Sequence, residues 1–300
     1  MTLPILTIIT PSYNQGRFLT ETIESVLSQD VPGLEYIVVD GGSTDESVAV
    51  IERYASKLAW WVSEKDRGQA HAINKGLARA TGRFVAYLNS DDTYLPGALH
   101  AALGVLDRTP NARWIAGGVI GFGTTDAPVD EWHLPKVPRT LLDCVTARFQ
   151  MAQPGHVWNR EMLQSVGGFD ASFRYLFDIN LYANLLARGE RCIPIHRPLA
   201  SYRFHPTSKT VAEGDLFERD WDRIRAEFIP KLPFAQRIRA HHRIAMMKCA
   251  AMYTKSAYAS ANGDVAAARV ALVDAIANYP PSAFSTAFAG AARRMLRSLR

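Results

Sequence analysis

Apolar and polar positions alternate along the first ninety residues in a repeating order. Ile5-Leu6-Thr7-Ile8-Ile9-Thr10 is an apolar run too short to span a membrane, and it reads as a buried strand. Pro11, which cannot donate to a sheet ladder, is expected to stop it. Phe18, Leu19, Ile23, Val26 and Leu27 then fall on one face of a helix. A second strand is predicted over 34–39, closed by Asp40-Gly41-Gly42-Ser43-Thr44-Asp45-Glu46. Ser43 and Glu46 have capping-box spacing, so a helix should begin there. Further segments predict a strand over 58–62, a helix over about 69–80 and a strand over 83–88. This alternation predicts an α/β fold, a Rossmann-like and mostly parallel doubly wound sheet. Pro11, Tyr13, Asn14, Asp40, Asp66, Asp91 and Asp92 then share one sheet edge, outside the carboxyl ends of the strands where such sheets bind ligands.

The run Leu88-Asn89-Ser90-Asp91-Asp92 brings in chemistry. Adjacent carboxylates at a strand end suit Mg²⁺ or Mn²⁺, which is usually held by one or two carboxylates plus substrate phosphates. Taken alone, the pair is equally a surface turn. It has company, however. Thr10-Pro11-Ser12-Tyr13-Asn14, Val39-Asp40-Gly41-Gly42-Ser43-Thr44-Asp45, Asp66-Arg67-Gly68, Asn74-Lys75-Gly76 and Leu88-Asn89-Ser90-Asp91-Asp92 together resemble the family 2 glycosyltransferases of GT-A fold. The resemblance covers roughly residues 3–206. It implies an inverting, metal-dependent enzyme that uses a nucleotide-diphosphate sugar. Many members carry an acidic residue where this chain has Asn89, so metal ligation would rest on Asp91 and Asp92.

The resemblance also implies roles. Pro11, Tyr13 and Asn14 would form a turn against the nucleotide base, with Tyr13 offering a stacking face. Asp40 would accept from a uracil imide N–H, unless it only organises a turn. Asp66 and Gly68 would line the other side of the base, glycine permitting close approach. Lys75 would meet a phosphate or ribose, or else remain a solvated helix lysine. Ser90 and Asp91 complete the nucleotide set. His205 is a candidate for the metal or the diphosphate, as are Arg203 and Lys209 for the diphosphate; His156 and His205 are the weaker candidates, since a lone histidine is more often a structural or surface residue. Downstream, Gly167-Gly168-Phe169-Asp170 resembles the acceptor-side signature. Asp178 stands in the first turn of the next helix, where the family carries its catalytic base. Apolar Leu176 and Phe177 beside it favour a raised pKa, which suits a general base. Its alternative role is helix capping, with Asp170 as the base instead.

Composition narrows the remaining choices. A chain of 300 residues with 48% apolar content can bury a large core. The expected plan is a GT-A catalytic domain over 1–209, with a nucleotide half to about 110 and an acceptor half over 111–209. A helical C-terminal extension over 210–300 follows. Its Ala-rich segments are separated by Gly263-Asp264 and stopped at Pro280-Pro281. The last segment, 283–300, sets Arg293, Arg294, Arg297 and Arg300 beside Phe284, Phe288, Met295 and Leu299. That pattern fits either packing in the protein or contact with an anionic membrane surface.

Cys144, Cys192 and Cys249 are odd in number and lack metal-motif spacing, so they read as reduced thiols in a cytosolic protein. The N-terminus shows no signal peptide, and no apolar stretch approaches bilayer-spanning length. A net charge of +5 comes without any nucleic-acid-binding signature, which argues against nucleic acid as a partner. A dinucleotide-dependent oxidoreductase would need Gly-x-Gly-x-x-Gly after the first strand, and residues 10–18 lack it. A catalytically inactive nucleotide-sugar binder is the other alternative, opposed by the presence of Asp40, Asp91, Asp92 and Asp178. The expected activity is therefore transfer from a UDP-sugar to a glycan or lipid-linked acceptor, in cell-surface polysaccharide or glycolipid synthesis. The expected place is the cytoplasm, at the inner membrane face where the tail reaches lipid.

Overall fold

Residues 5–123, 132–133, 135–205, 214–262 and 264–298 are described by the computed structural model. The apolar runs form β1 (Leu6–Ser12), β2 (Leu34–Asp40), β3 (Trp60–Ser63) and β4 (Phe84–Tyr87). They are joined by α1 (Gly16–Leu27), α2 (Ser47–Tyr54) and α3 (Gln69–Arg79). All four strands are parallel, in the order β3-β2-β1-β4. Their register sets Ser12 beside Asp40 and Asp40 beside Ser63. The carboxyl ends of three strands therefore meet at one place.

Two local expectations are corrected. Pro11 does not stop β1, which continues to Ser12 with Pro11 level with Val39. The carbonyls of Ile5 and Ile9 accept from Phe84 and Leu88, so odd-numbered residues of β1 face β4. β4 pairs only as far as Ile9, so the N–H that Pro11 lacks has no ladder partner to lose. The capping box also fails to form. The Ser43 hydroxyl donates to Asp40 instead, and α2 starts at Ser47, whose N–H is held by Asp45 Oδ1 at 3.0 Å.

Beyond β4 the sheet becomes mixed. β5 (Thr93–Tyr94), β6 (Trp114–Gly123), β7 (Trp132–His133), β8 (His156–Asn159) and β9 (Ile193–Phe204) extend it in the order β4-β8-β6-β9-β5, with β7 on β6. β8 runs antiparallel to both β4 and β6, and β9 runs parallel to β6. The principal core combines Leu6, Ile8 and Val38 of the sheet with Leu19, Ile23 and Val26 of α1 and Leu99 of α4 (Ala98–Arg108). The other side carries α5 (Leu141–Val145), α6 (Arg160–Ser165), α7 (Phe177–Ala187) and α8 (Gly214–Phe228).

Gly155, just before β8, lies so close to β6 that an added Cβ would stand 2.4 Å from the Gly117 carbonyl oxygen. Backbone on both sides leaves little room to relax. Gly155→Ala should lower stability by about 1–3 kcal/mol, the usual scale of overpacking, read as a lowered melting temperature. An unchanged melting temperature would show that the two strands separate at little cost.

The chain divides into two compact units, Met1–Phe228 and Ile229–Arg300. α8 therefore belongs to the first unit, while the expected boundary at 209/210 lies outside the described residues. The second unit holds α9 (Phe234–Ala261), α10 (Val265–Asn278) and α11 (Thr286–Ser298). Asp264 caps α10 by accepting from the Ala267 N–H at 2.9 Å. Tyr253, Leu272, Ala275 and Ala291 form the core of this unit. Phe288, one of the apolar residues a membrane reading would use, packs edge-on against Tyr253 with ring centroids 5.7 Å apart. The side chains of Arg294, Met295 and Arg297, with Leu299 and Arg300, lie outside the described residues. Among the described residues no helix is long and apolar enough to cross a membrane, and the cysteines are buried and unpaired.

Candidate active site

At the carboxyl ends of β1 and β2, hydrogen bonds fasten two loops together. Asn14 adopts φ = 51°, a left-handed conformation that asparagine tolerates. Its Oδ1 accepts from the Thr44 N–H at 2.8 Å, and its own N–H donates to Ser43 Oγ at 2.8 Å. Asp40 is fully buried and accepts from Gly42 N, Ser43 N, Ser43 Oγ and Ser63 Oγ at 2.5–3.0 Å. Four donors fill the acceptor sites of a carboxylate. Asp40 is thus the organiser of this turn, and contact with a base requires the Ser43 hydroxyl to rotate away.

Tyr13 stands 62% exposed beside this turn. A Cβ on Gly41 would lie 3.3 Å from the Tyr13 ring and 2.7 Å from Asp66 Oδ2, so the glycine lets ring and carboxylate close around it. Asp66 Oδ1 in turn accepts from Gly68 N at 2.7 Å, just ahead of α3. Lys75, further along α3, pairs with Glu64 at 2.9 Å.

The two adjacent carboxylates after β4 part company. Asp91 Oδ2 meets His205 Nε2 at 3.0 Å and accepts from Gln15 Nε2 at 3.2 Å. Asp92 turns inward and is 1% exposed. Its oxygens accept from the Arg203 N–H at 3.0 Å and the Asn89 side chain at 3.2 Å. Burial, and then the charge of Asp91, push the Asp92 carboxyl well above the usual range. Arg203 is likewise a structural strut. Its guanidinium lies 4.7 Å from the Phe18 ring and 4.2 Å from that of Phe122, pairs with Glu21, and donates to the Asp91 carbonyl at 2.9 Å. It is therefore committed within the protein, and Lys209 lies outside the described residues.

The candidate metal donors narrow accordingly. Among the described residues no group of three or more His, Cys, Asp or Glu side chains is arranged to hold a cation. The donor set that fits one is the Asp91 carboxylate with the His205 imidazole. That set leaves most of a hard cation's shell to substrate oxygens, as Mg²⁺ usually requires.

Asp178, in the first turn of α7, forms no cap across that turn. Its Oδ1 accepts from the adjacent Ile179 N–H, at 2.8 Å. Burial raises its pKa to about 6. Burial, and after it the charge of Asp178, raises the phenols of Tyr87 and Tyr182 and the thiol of Cys144. The charge of Asp92 adds a smaller contribution at Tyr87. Around it, Trp158, Phe169 and Phe177 pack as an aromatic cluster. His156 belongs to this core. It accepts from Trp114 Nε1 at 2.9 Å, and burial lowers its pKa to about 3. Asp170 lies outside the cluster, exposed and accepting from Ser172 N at 2.8 Å.

Sequence reasoning missed the carboxamides that join these parts. Gln15 bonds both Ser90 and Asp91. Gln69 donates to Asn89 Oδ1 at 2.5 Å, and Gln153 connects the Tyr87 carbonyl with the Asn89 side chain. Asn74 donates to the Phe169 carbonyl at 2.6 Å and accepts from the Phe169 N–H at 2.9 Å. Only their neighbourhood to the recognised motifs offered a signal.

Comparisons with known proteins agree with this geometry. The family model described as Glycosyl transferase family 2 matches residues 7–156, half of the chain. The putative teichuronic acid biosynthesis glycosyltransferase TuaG of Bacillus subtilis is 28% identical over 229 residues, covering 73% of this chain and 86% of its own. Among solved structures, S. aureus TarS in complex with UDP-GlcNAc aligns with a TM-score of 0.62 at 18% identity, over 98% of this chain and 89% of TarS. The mannosyltransferase PcManGT from Pyrobaculum calidifontis, in complex with GDP-Man and Mn²⁺, aligns at 0.54 and 21% identity, over 100% and 88%. These two likenesses show the fold.

Proposed function

Because the chain belongs to glycosyl transferase family 2, we propose that it moves a sugar from a nucleoside-diphosphate donor to a hydroxyl acceptor with inversion at the anomeric carbon. The observation that supports this reading is that Phe177, the neighbour of Asp178 on α7, packs 6.2 Å from the Tyr87 ring of β4, the strand that leads to the Asp91–His205 pair. Asp178 takes the proton of the acceptor hydroxyl. The freed oxygen attacks the anomeric carbon from the side opposite the nucleotide, and the bond to the diphosphate breaks. Asp91 and His205 would hold Mg²⁺ or Mn²⁺, which would neutralise charge on the departing diphosphate.

On the donor side, Tyr13 stacks on the base, with the turn of Pro11 and Asn14 against it and Asp66 and Gly68 opposite. Asp40, once Ser43 rotates, accepts from the imide N–H. Ser90 and Asp91 lie against the ribose and phosphates, with Lys75 released from Glu64 to meet phosphate. A UDP-sugar is the favoured donor. The acceptor is a glycan or a lipid-linked sugar, and the similarity to TuaG supports a place in cell-surface polysaccharide synthesis.

A panel of UDP-, GDP- and dTDP-sugars, scored by thermal shift and by hydrolysis with and without Mn²⁺, tests the reading. Stabilisation and hydrolysis with one nucleotide class are expected. Stabilisation without turnover on any donor and acceptor would instead identify an inactive binder. Tyr13→Ala should weaken nucleotide binding by about 1–3 kcal/mol, the scale of base–aromatic stacking, without lowering the melting temperature of the free protein. Unchanged UDP affinity in calorimetry would remove Tyr13 from the base site.

A further inference from the structure

A polar pocket of about 390 Å³ opens on the side of α7 turned away from Asp178. Gly167, Gly168 and Asp170 form one wall, Asn180 and Asn184 of α7 a second, and Glu227 of α8 a third. At 3.6 residues per turn, Asn180 and Asn184 lie roughly 200° and 240° around the helix from Asp178. They share a face with each other and not with the proposed base. Asn180 is only 4% exposed, yet its side chain, like that of Asn184, makes no hydrogen bond among the described residues. Its carboxamide instead meets the cavity, where water or a ligand can satisfy it.

From these features we propose that the pocket binds a neutral sugar unit of a glycan, at a site separate from the reaction centre. Each carboxamide offers two donors and an acceptor oxygen, which suits hydroxyl groups that both give and accept. Asp170 and Glu227 repel phosphates and other anions, so a nucleotide does not belong here. The volume falls within the usual range of small-molecule sites, about 300–1,000 Å³, while the polar lining departs from their mostly apolar character. A polyhydroxylated ligand accounts for both. Resting on the glycosyltransferase reading, the site would hold a chain that is being extended, at a sugar remote from the one that reacts.

The test is binding to the full chain, independent of turnover. Neutral trisaccharides of glucose, mannose and N-acetylglucosamine are titrated in saturation-transfer NMR and calorimetry, with Ca²⁺ alone as a separate arm. At least one trisaccharide should bind, and Asn184→Ala should weaken it about tenfold or more, as the loss of hydrogen bonds worth ~1.4 kcal/mol requires. Asn180→Ser, which keeps a small polar group, should also weaken it. UDP affinity should be unchanged in both variants, and Asp178→Asn should bind the trisaccharide as well as the parent does. Absence of binding by all three sugars, binding that survives Asn184→Ala, or binding of Ca²⁺ alone would each overturn the proposal. Failure of the donor panel with trisaccharide binding intact would instead refute the transferase reading and leave the pocket standing.

Discussion

Replacing Asp178 with asparagine should lower turnover by about 10²-fold or more, the usual scale for a general base, and at the same time raise the melting temperature. The two effects have one origin. Burial raises the Asp178 pKa to about 6 from an ordinary value of 3.8, so the folded protein holds this proton more tightly than the unfolded chain. The contribution of the group to stability is complete below pH 4 and is lost as pH rises through 6. At neutral pH the ionised carboxylate therefore costs stability while it supplies basicity, and asparagine removes both. Turnover of the parent enzyme should fall as pH drops through about 6, since the base must be ionised. Measuring kcat and thermal unfolding between pH 5 and 8 for parent and variant checks all of this. A variant with near-normal turnover would move the role to Asp170 or another carboxylate.

The second large effect separates two neighbours. Asp91→Asn and treatment with EDTA should each lower turnover by about 10²-fold or more, since a cation on a departing diphosphate is worth several kcal/mol. Both should also abolish the Mn²⁺-dependent part of UDP stabilisation in thermal shift. Asp92→Ala should act differently. It strands the Arg203 N–H and the Asn89 amide in a buried place, a loss of about 1–3 kcal/mol, with the dependence on Mn²⁺ retained. Equal UDP affinity in EDTA and Mn²⁺ would sink the metal assignment. Loss of metal response in Asp92→Ala at intact stability would return Asp92 to the ligand set.

β1, β2 and β4 were legible because buried parallel strands read as nearly continuous apolar runs, and the half-buried edge strand β3 was legible from its apolar Trp60, Trp61 and Val62. β5 and β7, two residues each, have no periodicity to read. β9 was only partly visible, since His196 and Arg197 interrupt it and its length comes from pairing with β6. Among the candidate site residues, carboxylates at strand ends could be picked out because few other reasons place them there. The inward turn of Asp92 could not, because Asp-Asp carries no information about which side chain the Arg203 backbone will claim. Gln15 and Gln153 were invisible for a related reason. A carboxamide acquires meaning only from its partners, here 76 and 64 residues away.

Asn74 grips Phe169 by both backbone groups, and Phe169 packs against Phe177, the neighbour of Asp178. The same helix, α3, begins at Gln69, which holds Asn89 in the run leading to Asp91. In the proposed reaction the spacing between the departing diphosphate and Asp178 would consequently be gauged by the pitch of one helix, not by a loop. Thermal motion of either end then carries the other with it. In the proposed reaction, where a misplacement of about 1 Å can cost 10²-fold in rate, the helix would serve as a fixed jig between bond breaking and proton removal.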